Sequence, residues 1–249
     1  MELKRAAVLL VEDEPFLREL IGAWFTRVAG KVLLAENGAE ALRVLAAHKI
    51  DLVVSDVRMP VMDGVTLLRH ISQKAHKPCV ILLTGFSDLS PRQAHDLGAE
   101  ALLEKPIRRE ELLRVAQRSL AEANEVWRKR PVVMPSMKLK ASFTSLAAAQ
   151  GKGKIAFGRR GFCIESGRTL RVGPVKFAVD FKADHRVLSG EGEVRWIAPE
   201  EGQAGIEITH VDDASRAWVV DLLRRSGALP FIPASTRATD TSSRGVKAA

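Results

Sequence analysis

Five short apolar runs recur in the first half of the chain: AAVLLV (6–11), KVLLA (31–35), DLVVSD (51–56), CVILLT (79–84) and EALLE (100–104). Near-continuous hydrophobicity does not suit a strand with one wet face. It suits a strand covered on both faces, as in a parallel sheet between two layers of helices. Parallel neighbours need a long crossover, and the segments 15–28, 38–47, 64–74, 91–97 and 108 onward carry the amphipathic pattern for it. Pro15 and Pro91 suit a first helical position. Ser90 suits an N-cap, and Asn37-Gly38 and Leu97-Gly98 read as turns or stops. Five such units predict an α/β fold, a five-stranded doubly wound parallel sheet.

The runs end on chemistry. In an open α/β sheet the carboxyl ends of the strands share one edge, where ligands bind near the topological switch point. The first run ends in Glu12-Asp13, the third in Asp56, the fourth in Thr84-Gly85 and the fifth in Glu104-Lys105-Pro106. Each acid, taken singly, could cap a following helix. Together they make three carboxylates, a hydroxyl and a lysine on one edge. Clustered carboxylates repel unless a cation joins them, and hard oxygen donors suit Mg²⁺. A metal there would neutralise an incoming phosphoryl group, and one carboxylate could become an aspartyl phosphate. Thr84 could donate to a phosphoryl oxygen and Lys105 could pair with it.

The motifs VEDE, SDVRMPVMDG, LLTG and EKP, in this order, resemble the receiver domain of bacterial two-component response regulators over about residues 5–122. The resemblance implies a flavodoxin-like sheet with Asp56 as phosphoacceptor. It implies Mg²⁺ held by Asp13, Asp56 and the backbone carbonyl of Arg58, with Glu12 as the second acid. Thr84 and Lys105 would sense the phosphate, and Lys105-Pro106 matches a peptide bond usually cis in the family. A cognate histidine kinase is the implied donor, and a dimer through the receiver is allowed. The chain departs from the family at the switch position, where Leu102 stands in place of an aromatic residue. Phe86 could screen the acyl phosphate from water or simply pack in the core.

The second half has a different texture. Residues 1–122 hold 17 basic and 17 acidic side chains, whereas residues 123–249 hold 21 against 13 and so carry the whole +8 excess. A last helix from 108 could run on through RREELLRVAQRSLAEANEVWRKR as a helical linker over 123–131, and 132–154 shows no firm element. From Ile155 the pattern turns β, with period-two alternation in 175–181, 186–197 and 205–209. One amphipathic helix follows over 211–227, starting at Asp212 or Asp213. The tail, 228–249, is too poor in apolar residues to pack and reads as disordered.

GRRGFCIESGRTLRVGPVKFAVDF, then GEGEVRWIAPEEGQAGIEITHVDD and the closing helix, resemble a PilZ domain, a small β-barrel that often receives cyclic di-GMP. The resemblance covers about residues 132–227. It rests on Gly192, Val194 and Trp196 and on Gly205 and Ile206. The family's ligand stretch aligns with Ala156–Gly161 and keeps only its final glycine. The upstream arginine pair is missing, which leaves Arg159 and Arg160 as candidate ligand-binding residues. The organisation expected is a receiver at 1–122, a linker at 123–131, a PilZ-like domain at 132–227 and a tail. The expected output acts through contacts with a downstream protein, without the dinucleotide. Two alternatives stand beside it: a cyclic di-GMP receptor, and a nucleic-acid binder using the basic half.

Other classes are excluded by pattern. After residue 123 there is no enzyme signature, no Cys/His metal spacing around His185 or His210, no P-loop at 151–154 and no helix–turn–helix. The expected protein is therefore not an enzyme. No apolar run approaches the length of a membrane span. Two cysteines far apart, Cys79 and Cys163, suit a cytoplasmic protein with free thiols.

Overall fold

The computed structural model describes residues 2–74, 77–85, 89–121, 127, 135, 137–158, 160–165, 170–198 and 202–225. They form two sheets with separate cores.

The first sheet contains β1 (Ala7–Val11), β2 (Lys31–Ala35), β3 (Leu52–Asp56), β4 (Cys79–Thr84) and β5 (Ala101–Glu104). The order is β2-β1-β3-β4-β5 and every pairing is parallel. Between the strands lie α1 (Pro15–Thr26), α2 (Gly38–Ala47), α3 (Gly64–Ser72) and α4 (Pro91–Leu97), and α5 (Arg109–Leu120) follows β5. Successive strand residues feed opposite layers, as the pleat requires. Val8, Leu10, Leu52, Val54, Ile81 and Leu83 pack with α1 and α5. Leu9, Val11, Val53, Val80 and Leu82 pack with α2, α3 and α4. This two-sided burial is why the runs are continuously apolar. Local signals start the helices. Asn37 accepts from the Glu40 N–H at 2.9 Å and Asp63 from the Thr66 N–H at 2.6 Å. Ser90 and Gln93 bond each other's backbone N–H groups reciprocally, which is a capping box.

The expected long last helix does not continue. α5 stops at Leu120, and Ala121 is extended at φ −71°, ψ 147°. No Gly or Pro explains the stop. Arg160 of the second unit donates to the Ala121 carbonyl at 2.5 Å and so holds the end of this helix. Of the linker expected over 123–131 only Trp127 lies among the described residues, in a turn. Its indole is buried in the core of the second sheet, so it belongs to that unit rather than to a free linker. Phe86, Arg159 and the tail 228–249 lie outside the described residues.

The second sheet has six strands: β6 (Met137–Phe143), β7 (Ile155–Gly158), β8 (Gly161–Glu165), β9 (Gly173–Phe181), β10 (Arg186–Ala198) and β11 (Gln203–Val211). The order is β6-β9-β10-β11-β8-β7, with β6 parallel to β9 and the other pairs antiparallel. Two helices complete it, α6 (Leu146–Gly151) and α7 (Asp213–Arg225). β6 and α6 correct the expectation of no firm element over 132–154. The signal was present: Met137, Leu139, Ala141 and Phe143 alternate with Lys138, Lys140 and Ser142, which is the half-buried strand pattern. Trp218 of α7 lies 5.6 Å from Phe181 and 6.2 Å from Phe157, ring centre to ring centre. It thereby ties β9 and the edge strand β7 into one aromatic core. The start of α7 resolves to Asp212, which accepts from the Ser215 N–H at 2.7 Å and from the Ser189 hydroxyl at 2.8 Å.

The glycines that carried the second resemblance pair across this sheet. Gly205 faces Trp196 in register, and a Cβ on Gly205 would come within 2.2 Å of the indole. Trp196 is buried and has little room to yield. Gly205→Ala should destabilise the second unit by about 1–3 kcal/mol through overpacking. Gly151→Ala, where nothing lies within 4 Å of the new methyl group, should stay within about 0.5 kcal/mol. Urea unfolding followed by tryptophan fluorescence measures both. Equal effects at the two positions would refute the packing argument.

Candidate functional site

The order β2-β1-β3-β4-β5 puts the topological switch between β1 and β3. Glu12 and Asp13 follow β1 directly, and Asp56 ends β3. A ligand oxygen from each of Glu12, Asp13 and Asp56 lies within 4.8 Å of the others. Glu12 and Asp56 are buried and Asp13 is exposed. The set therefore has two fixed acids and one that faces water. Lys105, just after β5, closes it. Its ammonium donates to Asp56 Oδ2 at 2.7 Å and to Glu12 Oε2 at 3.0 Å. The Val57 N–H donates to Asp56 Oδ1 at 2.8 Å, so both Asp56 oxygens have fixed donors. Thr84 ends β4 beside Asp56, and its buried hydroxyl donates to the Gly85 carbonyl at 2.9 Å. The Lys105–Pro106 peptide is cis.

Burial raises the Glu12 carboxyl above the ordinary carboxylate range, and the neighbouring Asp56 charge adds to this. The hydrogen bond and charge of Lys105 oppose the shift without cancelling it. Burial alone would lower the Lys105 ammonium, but the bonds to Asp56 and Glu12 outweigh it and hold its pKa above the usual value. The cation is thus locked in its charged form by the acids it compensates.

Two supporting residues went unnoticed in the sequence. Arg18, one turn into α1, donates Nη1 to the backbone carbonyls of Glu12 at 2.6 Å and Asp13 at 3.1 Å. It fixes the loop that aims the acid pair. Gly64 starts α3 against the end of β3, where a Cβ would come within 2.1 Å of the Asp56 carbonyl. Only glycine allows that approach, and a glycine just after MPVMD was the visible signal for it. A cleft of about 660 Å³ opens beside the acids, lined by Asp13, Arg58, Met59, Asp63 and Gln93 among others.

The remaining candidates fall elsewhere. Leu102 is buried in the layer under α2, α3 and α4. Arg160 is 2% exposed and bound to the end of α5, so it does not present a guanidinium to an external ligand. The three acids, Thr84 and Lys105 do share one edge.

Comparison with known proteins places this geometry. Residues 8–117 match the response regulator receiver domain family. The chain is 35% identical over 145 residues to the transcriptional regulatory protein GlrR of Escherichia coli, covering 56% of this chain and 33% of that protein. It is 28% identical over 193 residues to the positive alginate biosynthesis regulatory protein of Pseudomonas aeruginosa, covering 75% of this chain and 71% of that one. A solved receiver domain protein from Clostridium thermocellum aligns at 29% identity and a TM-score of 0.44, over 46% of this chain and 94% of that one. The chain spans about a third of the length of the first curated relatives it matches. The first sheet and its helices are a response regulator receiver domain.

Proposed function

We propose that Asp56 is the phosphoacceptor of a two-component regulator and that a histidine kinase supplies the phosphoryl group. The observation that carries this is the Lys105 ammonium, 2.7 Å from Asp56 and 3.0 Å from Glu12, with Asp13 in the same carboxylate cluster. An Asp56 oxygen attacks phosphorus as the P–N bond to the donor histidine breaks, and the bonding pair leaves with the imidazole nitrogen. The product is an acyl phosphate on Asp56. Lys105 pairs with the new phosphoryl oxygens, and the Thr84 hydroxyl, beside Asp56, turns to donate to one of them. The donor set fits Mg²⁺, being hard oxygens with one acid open to water. Asp13, Asp56 and the Arg58 carbonyl would hold the ion, with Glu12 beside them. When bound, it would supply charge neutralisation for the transferring group. Phe16 and Leu20, one turn apart on α1, and Val61 leave apolar side chains exposed in the segments that follow the acids. That surface suits a docking protein, here the kinase.

The second unit is read as PilZ-like, over residues 132–227 with Trp127 added to its core. Support comes from the six-stranded sheet, the closing helix α7 and the pairing of Trp196 with Gly205. Its output is contact with a downstream protein. Cyclic di-GMP and nucleic acid remain the alternatives, and the burial of Arg160 argues against the first.

Incubation with a small acyl phosphate and Mg²⁺ should add one phosphoryl group, read by intact mass and peptide mapping to Asp56. Asp56→Asn should abolish it, and undiminished labelling of that variant would end the assignment. Asp13→Ala removes a charged ligand worth about 1.5–3 kcal/mol. Mg²⁺ affinity should therefore fall by roughly 10- to 100-fold, with phosphorylation slowed alongside. Unchanged affinity by calorimetry would move the ion to other donors. Titration with cyclic di-GMP should show no binding at low micromolar concentration. Tight binding that disappears in Arg159→Ala would make the second unit a nucleotide receptor.

A further inference from the structure

Asp13 is the acid of the cluster that faces water, and its carboxylate has no protein partner among the described residues. Lys105 fixes Asp56 and Glu12 through their side chains. The direction of the Asp13 side chain depends instead on the backbone beneath it. Burial does little to hold that backbone. Asp13, Glu14, Pro15 and Phe16 are all exposed, and the buried residues of α1, Ile21, Gly22 and Phe25, lie in the second half of the helix. α1 also lacks the side-chain cap that starts α2 and α3, since the Glu14 side chain at its N-cap accepts no N–H.

Arg18 supplies the constraint. Its Nη1 donates to the Glu12 carbonyl at 2.6 Å and to the Asp13 carbonyl at 3.1 Å, while its own N–H bonds the Glu14 carbonyl at 2.9 Å. The first two carbonyls belong to the peptide units on either side of the Asp13 Cα. Each unit is planar, so tying both carbonyls to one guanidinium fixes the backbone torsions of Asp13 and the direction of its Cα–Cβ bond. These are charge-assisted bonds, stronger than neutral ones. They go to carbonyls and not to carboxylates. The charge of Asp13 is thereby aimed without being neutralised.

Such a constraint bears on which ion fits. Mg²⁺ demands near-octahedral oxygens at about 2.0–2.1 Å, whereas Ca²⁺ accepts longer bonds in flexible geometry. An acid on a fixed backbone suits the first ion, and a loose acid still serves the second. The bare charge of Arg18 acts in the opposite sense. A cation beside the site repels both divalent ions, so its removal on electrostatic grounds alone would tighten both to a similar degree.

We propose that Arg18 is a positioning residue of the divalent site and that, by fixing both peptide units around Asp13, it makes the acid cluster favour Mg²⁺ over Ca²⁺. The inference rests on Asp13 and Asp56 holding Mg²⁺.

Calorimetric titration of the unphosphorylated full chain with Mg²⁺ alone and with Ca²⁺ alone tests it. Arg18→Met keeps the apolar stem and removes every donor. Its Mg²⁺ dissociation constant should rise about tenfold and its Ca²⁺ constant by about threefold or less, so the preference for Mg²⁺ falls. Arg18→Lys keeps the charge and a point donor without the planar fork, and should recover part of the preference. Urea unfolding in EDTA reports the metal-free stability of each variant. A merely structural role would lower that stability and leave the ratio of the two affinities unchanged, which would overturn the inference. Tighter binding of both ions in Arg18→Met would overturn it too. If Arg18→Met does not fold, Arg18→Lys carries the test, with a reduced Mg²⁺ preference supporting the inference and an unchanged one overturning it. All of these results leave the Mg²⁺ site standing, whereas a wild-type chain that binds no Mg²⁺ would overturn both.

Discussion

The Lys105 ammonium between Asp56 and Glu12 is the interaction on which the rest of the receiver depends. Both carboxylates are nearly inaccessible to water. Each buried ion costs on the order of several kcal/mol in desolvation before any partner is counted. Their mutual repulsion adds to that. Burial holds the Glu12 carboxyl above the ordinary carboxylate range even with Lys105 present. The two acids stand at the ends of β1 and β3, neighbours in the sheet, and the lysine follows β5 on the far side of β4. The strand order therefore decides whether the charges can meet. A different order would bury the same residues unpaired.

That dependence explains what could be read from the sequence. Strands β1, β3 and β4 are buried on both faces, so their apolar runs are unmistakable and each ends at a polar side chain. Asp56, Glu12, Thr84 and Lys105 are visible because each stands where an apolar run stops. Arg18 was not visible, since it acts on backbone: it holds two carbonyls. A residue whose work is done on main chain leaves no pattern in side-chain type.

The second unit was harder for a related reason. β9, β10 and β11 alternate cleanly and were found, with α7 behind them. β6 also alternates, but its charged residues fall within a basic, small-residue stretch that reads as linker. Its pairing with β9 spans nearly forty residues and no local turn announces it. The end of α5 is a clearer case of tertiary override. Helix propensity over Ala121 and beyond favours continuation. Arg160 takes the Ala121 carbonyl, and Trp127 is drawn into the second core. Both side chains act from outside the helix, so nothing within it could reveal them.

The two ends of α5 use the same physics to different effect. At its start one ammonium serves two carboxylates, and acid is in surplus. At its end Glu207 meets both Arg118 and Arg195, and Glu193 lies 3.2 Å from Arg195. A joint built only for stability would be apolar, because well-packed hydrophobic residues commonly match or exceed a buried ion pair. The second sheet shows that it can build such packing, in the Phe157, Trp218 and Phe181 cluster a short distance away. The receiver meets this sheet through charge instead.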